Sequence, residues 1–202
     1  MKISKIEVQK KNKKRASIFI DGEFRFGLSN EIVLKYNLKQ GDEIKEDEIK
    51  NLLLVEEKER LKQRAYRLLR FRSRSVNEMR QRLMNLGYEP EIVEAVVQDL
   101  IEEGILNDQR FVREFASDYT ELKPKGNIFI MNELRKKKVD ATLIEDVLRN
   151  RDEKSIIRNI LKKKVSNFDK SNPKEKAKII RRLLSKGFTL QAIYEVMGEE
   201  YE

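Results

Sequence analysis

The chain has 202 residues, enough for one large domain or two small ones, and 39% of them are charged. Its 44 basic and 35 acidic residues largely cancel to a formal net charge of +9, which favours a folded protein over a disordered one. Cysteine, histidine and tryptophan are absent, which excludes disulfides, a cysteine nucleophile, a Ser-His-Asp triad and imidazole metal ligands. The amino-terminal segment has no apolar stretch typical of a signal peptide, and no apolar run approaches the ~20 residues that span a bilayer. We therefore expect a cytoplasmic protein.

The first 50 residues predict a small antiparallel sheet. A polar turn at 10–15 follows a short apolar run, and Asp21-Gly22 joins two further runs in the manner of a type I′ hairpin turn. Alternation places Phe24 and Phe26 on one face of the third strand, with Phe19 on the facing strand. A short helix is expected at about 30–37.

From about Asp47 onward the apolar residues recur every three or four positions, which predicts helices for the rest of the chain. Three windows, 83–97, 134–148 and 183–197, align without a gap at offsets of 51 and 49 residues. Leucine opens each window, and apolar residues follow at the same later positions. The alignment indicates an internal repeat, in which neighbouring units bury their apolar faces against each other.

Each repeat is interpreted as three helices. The predicted helices are 59–72, 76–86 and 90–103 in repeat 1, 108–121, 127–138 and 141–149 in repeat 2, and 153–166, 173–186 and 190–199 in repeat 3. The predicted fold class is therefore mainly α, a tandem array of three three-helix units behind a small N-terminal β-hairpin region. The predicted domains are 1–50, 51–106 with a linker helix, 107–151 and 152–202.

Helix-end signals agree with these boundaries. Ser75 and Glu78 have the spacing of a capping box, and Asn172 precedes Pro173 as an N-cap precedes a proline at the first helical position. Glycines that suit left-handed C-caps stand at Gly87, Gly104 and Gly187.

The sign of the charge repeats along with the helices. Residues 59–86 carry eight arginines and one lysine against two glutamates, whereas 87–121 carry ten acidic residues against two arginines. The blocks 122–138 and 154–187 are again basic, and the blocks after them are acidic. If the repeats stack in parallel, a basic stripe follows one side of the array and an acidic stripe another. The alternative is that these residues form solvated helix faces stabilised by i,i+4 ion pairs. Such pairs would place basic and acidic residues in the same helix.

The basic stripe predicts a surface for a polyanion or for an assembly built on one. Arginine offers several planar donors to phosphate, whereas contacts with phosphate carry no sequence information. The candidate partner- or DNA-binding residues are Arg64, Arg67, Arg70, Arg72, Arg74, Arg80 and Arg82 in repeat 1, Lys125, Arg135, Lys136 and Lys137 in repeat 2, and Arg181 and Arg182 in repeat 3.

No catalytic constellation is found. Gly22 and Gly27 have the spacing that opens a P-loop, but Leu28 stands where the lysine must be. A magnesium nuclease built from carboxylates alone is the remaining enzymatic alternative. We predict that the protein is not an enzyme and has no cofactor and no metal.

Three stretches resemble the RecX family of bacterial recombination regulators. They are AYRLLRFRSRSVNEMRQRL (65–83), LIEEGILNDQRFVREFASDY (100–119) and KGNIFIMNELRKKKV (125–139). The resemblance covers about residues 55–199, and the N-terminal sheet looks like the extension of longer members. Lys138 stands where the family often has glycine, so a different cap is expected at that helix end.

Two residues of the family motif are interpreted structurally. Asp108 is read as a helix cap. Phe111 is read as a core residue, since it opens an i, i+4, i+8 stripe with Phe115 and Tyr119 that favours core packing over base stacking.

The resemblance implies a curved array of three-helix units that lies in the groove of a RecA–DNA filament and modulates, mostly inhibits, strand exchange in DNA repair and the SOS response. The partner would be the RecA filament, with additional phosphate contacts to single- or double-stranded DNA, and the protein would be a monomer without catalysis of its own. A helix-turn-helix-like protein that binds free DNA without RecA is the alternative.

Overall fold

The structure, a computed structural model, describes residues 1–164 and 172–198, and these ranges contain three strands and ten helices. The strands are β1 (Ile3–Val8), β2 (Arg15–Ile20) and β3 (Glu23–Ser29). The helices are α1 (Asn30–Lys35), α2 (Glu46–Leu69), α3 (Val76–Met84), α4 (Pro90–Glu102), α5 (Asp108–Glu121), α6 (Asn127–Lys136), α7 (Ala141–Arg149), α8 (Glu153–Lys164), α9 (Pro173–Leu184) and α10 (Leu190–Met197). The predicted fold class is confirmed.

The predicted helices from α3 onward begin at the residues where the structure begins them, and their predicted ends lie within two residues of the observed ones. The first helix of repeat 1 differs, because the expected linker helix and the helix expected at 59–72 form one continuous helix, α2. It begins at Glu46 and ends at Leu69, so Arg70 and Arg72 lie beyond its end. The last residues of the helices expected at 153–166 and 190–199 lie outside the described residues.

The chain divides into two compact units. The first consists of Met1–Arg72 with Leu83–Asp99, and the second consists of Ser73–Arg82 with the described residues from Leu100 onward. The predicted boundary at residue 50 lies inside α2. The domain boundaries read from the sequence therefore stay a prediction.

The strands form an antiparallel sheet in the order β1-β2-β3. Asp21 and Gly22 have φ values of +51° and +91°, which confirms the predicted type I′ turn between β2 and β3. Ser29 ends β3 and caps α1, since its side chain accepts a hydrogen bond from the backbone N–H of Ile32.

The prediction that Phe24 and Phe26 share a face is wrong. Ile18 pairs with Phe26 and Phe19 pairs with Phe24, so β3 has one more residue than β2 in this stretch, which is a β-bulge. The extra residue turns the two phenylalanines to different environments. Phe26 is buried in the core, whereas Phe24 is 57% exposed and packs edge-on against Phe19.

Glu56 joins α2 to the sheet within the first compact unit. Its buried carboxylate accepts a hydrogen bond from the backbone N–H of Ser29 at 2.7 Å and forms an ion pair with Arg15. Arg15 in turn donates to the carbonyl of Gly27 at 2.9 Å. Because each charged group is satisfied, the pair fixes α2 against β2 and β3 instead of leaving an unpaired charge in the interior.

Burial confirms the internal repeat. Leu83, Leu134 and Leu183, which open the aligned windows, are each at most 2% exposed. The aligned position ten residues later is equally buried in all three repeats, at Val93, Ile144 and Ile193. The aligned position five residues after the leucines is less uniform, since Val139 and Phe188 are buried but Tyr88 is only partly buried.

The predicted caps are also present. Ser75 and Glu78 form a capping box: the backbone N–H of Glu78 donates to Ser75 Oγ at 3.1 Å, and the backbone N–H of Ser75 donates to Glu78 Oε2 at 3.3 Å. Asn172 accepts from the backbone N–H of Lys174 at 3.0 Å. The three glycines proposed for helix C-caps have positive φ values, at Gly87, Gly104 and Gly187.

The expectation of a different cap at Lys138 is wrong. Lys138 has φ +52° and takes the left-handed conformation that Gly87 and Gly187 adopt in the other repeats. The backbone N–H of Val139 donates to the carbonyl of Leu134, as Phe188 donates to Leu183. The fold of repeat 2 thus accepts a conformation that costs a residue with a side chain about 1–2 kcal/mol.

A buried carboxylate joins repeat 2 to repeat 3. Glu153, the first residue of α8, accepts hydrogen bonds from the backbone N–H of Asn127 at 2.5 Å and from the hydroxyl of Thr189 at 2.6 Å. Asn127 is the first residue of α6, so the carboxylate of one repeat caps the second helix of the repeat before it. Arg151 lies beside Asn127 and donates to its side chain at 2.7 Å.

The two backbones touch at this junction. The N–H of Gly126 donates to the carbonyl of Lys186, and the N–H of Ile128 donates to the carbonyl of Gly187, both at 3.0 Å. A Cβ atom on Gly126 would lie 2.0 Å from the carbonyl oxygen of Gly187, and one on Gly187 would lie 2.6 Å from the backbone nitrogen of Phe129. Only residues without a side chain fit at both positions.

The start of α3 meets repeat 2 through the same arrangement, within the second compact unit. Asp108, the first residue of α5, accepts from the backbone N–H of Val76, the first residue of α3, at 2.8 Å. Ser75 Oγ donates to the carbonyl of Lys137 at 3.1 Å. Asp108 therefore caps α3 and not its own helix, whose cap is Asn107.

We predict that Gly187→Ala lowers the free energy of unfolding by about 2 kcal/mol more than Gly198→Ala. Both glycines have φ +77°, so both substitutions bear the cost of the left-handed conformation, but only Gly187 packs against backbone. Urea denaturation followed by circular dichroism measures the difference. Equal losses of unfolding free energy in the two variants would show that the close contact with the backbone of Phe129 adds no cost to the Gly187 substitution.

Candidate functional site

The predicted arginines of the first compact unit are exposed. Arg64 and Arg67 lie on α2, while Arg70 and Arg72 follow its end. Arg60, which the sequence analysis did not include, lies one turn before Arg64 and is exposed as well. Residues four and three positions apart share a helix face. We call Arg60, Arg64 and Arg67 the α2 ridge.

Phe71 follows the α2 ridge and was also missed. It is 85% exposed, the highest value among the large hydrophobic residues of the described ranges. It lies between Arg70 and Arg72, both of them exposed. A single apolar residue with an arginine on each side was the signal that could have identified it.

The remaining predicted arginines of repeat 1 belong to the second compact unit. Arg82 is exposed in the last turn of α3, whereas Arg74 and Arg80 are partly buried. Burial raises the pKa of the Asp108 carboxyl, and the hydrogen bond from Val76 and the charge of Arg80 oppose this shift. Part of the arginine cluster therefore faces the junction at Asp108 instead of solvent.

Exposed basic residues recur in the last turn of the second helix of each repeat. They are Arg82 in α3, Arg135 and Lys136 in α6, and Arg181 and Arg182 in α9. Cations at a helix C-terminus interact favourably with the helix dipole, so the pattern has a local stabilising cause. The same residues remain exposed and can form charge-assisted hydrogen bonds with phosphate or carboxylate.

Two predicted contact residues take part in internal contacts instead. The ammonium of Lys137 lies 2.7 Å from Glu78 and 5.9 Å from the ring centroid of Phe115, and its side chain is only 21% exposed. Lys125 is partly buried, with its ammonium 4.5 Å from the ring centroid of Phe129. Both lysines therefore help to hold the fold, whatever else they contact.

The aromatic stripe of α5 packs in the core, as predicted. Phe111 is buried, and Phe115 and Tyr119 pack against the same apolar cluster. The ring centroids of Phe115 and Tyr119 are 4.9 Å apart, and Phe129 of α6 continues the series 5.1 Å from Tyr119. These rings stabilise repeat 2, so they are not available to stack on a base.

The described residues contain no cluster of three or more acidic side chains that could hold a metal ion. Among the helices of the same ranges, none is long and apolar enough to cross a membrane. The exposed arginines and lysines can bind anions such as phosphate or carboxylate.

The fold is a tandem array of three-helix domains preceded by a small β-rich domain. Sequence models of one family match these parts in order: the regulatory protein RecX N-terminal domain at 1–45, and the first, second and third RecX three-helix domains at 62–100, 107–148 and 152–197. The chain belongs to the RecX family of regulatory proteins.

Relatives named "Regulatory protein RecX" match almost the full length of the chain. The chain is 30% identical to that of Clostridium beijerinckii, covering 100% of this chain and 98% of the relative, and 32% identical to that of Clostridium tetani, covering 98% and 94%. A crystal structure of regulatory protein RecX has the same fold, with a TM-score of 0.77 at 23% identity over 98% of this chain and 99% of that chain. The names of these relatives support a regulatory role.

We predict that Lys137→Ala destabilises the protein by about 1–3 kcal/mol, because it leaves Glu78 without its partly buried charge partner. Lys136→Ala is the matched control, since its neighbouring ammonium is exposed and pairs with Glu133 at the surface. We expect the control to change stability by less than about 0.5 kcal/mol. Urea denaturation compares the two variants, and equal effects would contradict a structural role for Lys137.

Proposed function

We propose that this protein binds RecA filaments on DNA, lies in the filament groove, and mostly inhibits strand exchange. Membership of the RecX family supports a regulatory role, and the earlier resemblance supplies RecA as the partner. The observation that carries the proposal is the recurrence of exposed basic residues in the last turn of α3, α6 and α9. A partner that repeats the same surface on successive subunits suits a protein that repeats the same charges.

Linked contacts explain how weak surfaces can give strong binding. The exposed basic residues of one repeat contribute modestly by themselves, because solvent and salt screen them. Once one repeat is bound, the next binds at a high effective concentration, so the affinities multiply. The junctions at Glu153 and Asp108 support this mechanism, since they hold the second helices at a fixed spacing before binding.

Inhibition then requires no chemistry from this protein. Occupying the groove blocks a second DNA molecule, and binding one filament state better than another favours disassembly. The basic groups suit the DNA phosphates or the acidic protein residues that a nucleoprotein filament presents.

Binding to free DNA in the manner of a helix-turn-helix protein is the second candidate. Three-helix domains and exposed arginines fit that function as well. It requires a shift of duplex DNA in gel assays without RecA, together with a sequence preference. Binding without sequence preference and with steep salt dependence would instead accompany filament binding.

We predict that the protein suppresses RecA-driven strand exchange at substoichiometric amounts. The variant Arg135→Glu/Lys136→Glu/Arg181→Glu/Arg182→Glu should need roughly tenfold more protein for the same inhibition, since it loses linked contacts in two repeats. The control Lys123→Glu/Arg113→Glu/Arg149→Glu/Lys154→Glu makes the same change in net charge at other basic positions of the second compact unit. Strand exchange between single-stranded and homologous duplex DNA measures inhibition, and circular dichroism checks helix content.

No inhibition at equimolar protein would contradict the proposal. Equal losses in the four-residue variant and its control would show that overall charge, and not the last turns of the second helices, governs binding. A sequence-selective gel shift without RecA, together with unaffected strand exchange, would favour the second candidate.

A further inference from the structure

Phe71 and the arginines around it form a surface that the proposed function does not explain. The side chain of Phe71 is 85% exposed, so the hydrophobic effect gives it little role in stabilising the fold. Single exposed apolar residues are common on proteins. This one differs because arginines precede and follow it directly, at Arg70 and Arg72, and a line of arginines leads to it.

The geometry of α2 sets that line. Arg60, Arg64 and Arg67 are four and three residues apart, so they lie on one helix face. At 1.5 Å per residue the α2 ridge spans roughly 10 Å. Arg70 keeps right-handed helical dihedrals and donates its N–H to the carbonyl of Tyr66, and Phe71 follows directly, two residues after the end of the helix.

Two acidic residues that precede Arg60 on α2 are bonded to other groups. Glu56 is buried and bonded to Arg15 and Ser29. Glu59 is partly buried and accepts from Gln63 Nε2 at 3.0 Å, one turn before Arg64. From Arg60 to Arg72 the exposed charges are all basic, and the surface ends in an aromatic ring.

We propose that the α2 ridge and Phe71 form a binding site for single-stranded nucleic acid. The arginines contact successive phosphates, and Phe71 stacks on an unpaired base. Proteins that bind single strands without sequence preference combine a basic track with an aromatic platform, as this helix does. A duplex offers the phosphates, but it offers no base for Phe71 without the cost of unstacking. The site goes beyond the filament proposal and needs no RecA.

A fluorescence experiment tests stacking directly. The chain has no tryptophan, so Phe71→Trp introduces the single indole of the full-length protein. Oligo(dT) should quench its emission, whereas an oligonucleotide of the same length made of abasic sites should not. Leu34→Trp is the control, because Leu34 is 78% exposed in the same compact unit but lies on α1. Absence of quenching at position 71, or equal quenching at both positions, would overturn the proposal.

Affinity and its salt dependence separate the two kinds of contact. Phe71→Ala should weaken binding of oligo(dT) by roughly 5- to 100-fold at every salt concentration, and Phe71→Tyr should retain it. Arg67→Ala should instead lower the slope of log K against log salt by about 0.7. Unchanged affinity in Phe71→Ala, or equal binding of oligo(dT) and the abasic strand, would contradict stacking. Because RecA is absent from these assays, their outcome is independent of the strand-exchange result.

Discussion

The N-terminus of a helix leaves backbone N–H groups without partners inside the helix, and in this protein three buried side chains accept hydrogen bonds from such groups. Within the described ranges the buried polar residues are Glu56, Ser75 and Glu153. Each bonds to backbone N–H at the start of a helix: Glu56 at the cap of α1, Ser75 within α3, and Glu153 at the first residue of α6. A cap supplied by another element does two things, since it completes one helix and fixes the position of the element that supplies it.

The junction of repeats 2 and 3 is the most complete case. Arg151 donates to the hydroxyl of Thr120, to the side chain of Asn127 and to the carbonyls of Tyr119 and Lys125. Burial lowers the pKa of its guanidinium, and the charge of Glu153 acts in the opposite direction, so each charge makes burial of the other less costly. The close approach of Gly126 and Gly187 then leaves the two repeats one way to pack.

Much of this fold could be predicted from the sequence, because its signals are local. The Asp21-Gly22 turn, the capping box at Ser75 and the aligned leucines each depend on a few neighbouring residues, and the structure confirms them. The bulge beside Phe24 could not be predicted, since alternation alone does not reveal an extra residue in one strand.

Contacts between residues that are far apart in the sequence could not be predicted either. Glu153 appears in the sequence as one acid in the charged run at the start of α8, and nothing local shows that it reaches Asn127. The same limit applies to the site. The predicted arginines Arg64 and Arg67 are exposed, but their role in binding stays a prediction. The sequence could not show that Lys137 turns inward to Glu78 or that Phe71 is exposed.

The proposed regulatory mechanism joins these results. The repeats carry exposed basic residues at equivalent helix ends, so the array can make several weak contacts at once with a repeating partner. The α2 ridge and Phe71 add a proposed site of a different kind, which combines positive charge with an exposed aromatic ring.

Amide hydrogen exchange at Asn127, compared between the natural protein and Glu153→Ala, tests most directly whether this carboxylate locks repeat 2 to repeat 3. We expect exchange at Asn127 to accelerate by about tenfold or more, since a hydrogen bond to a charged acceptor is lost. The amides of Leu134 and Ile157, inside α6 and α8, should keep their protection. Unchanged protection of Asn127 in the variant would contradict the role assigned to Glu153.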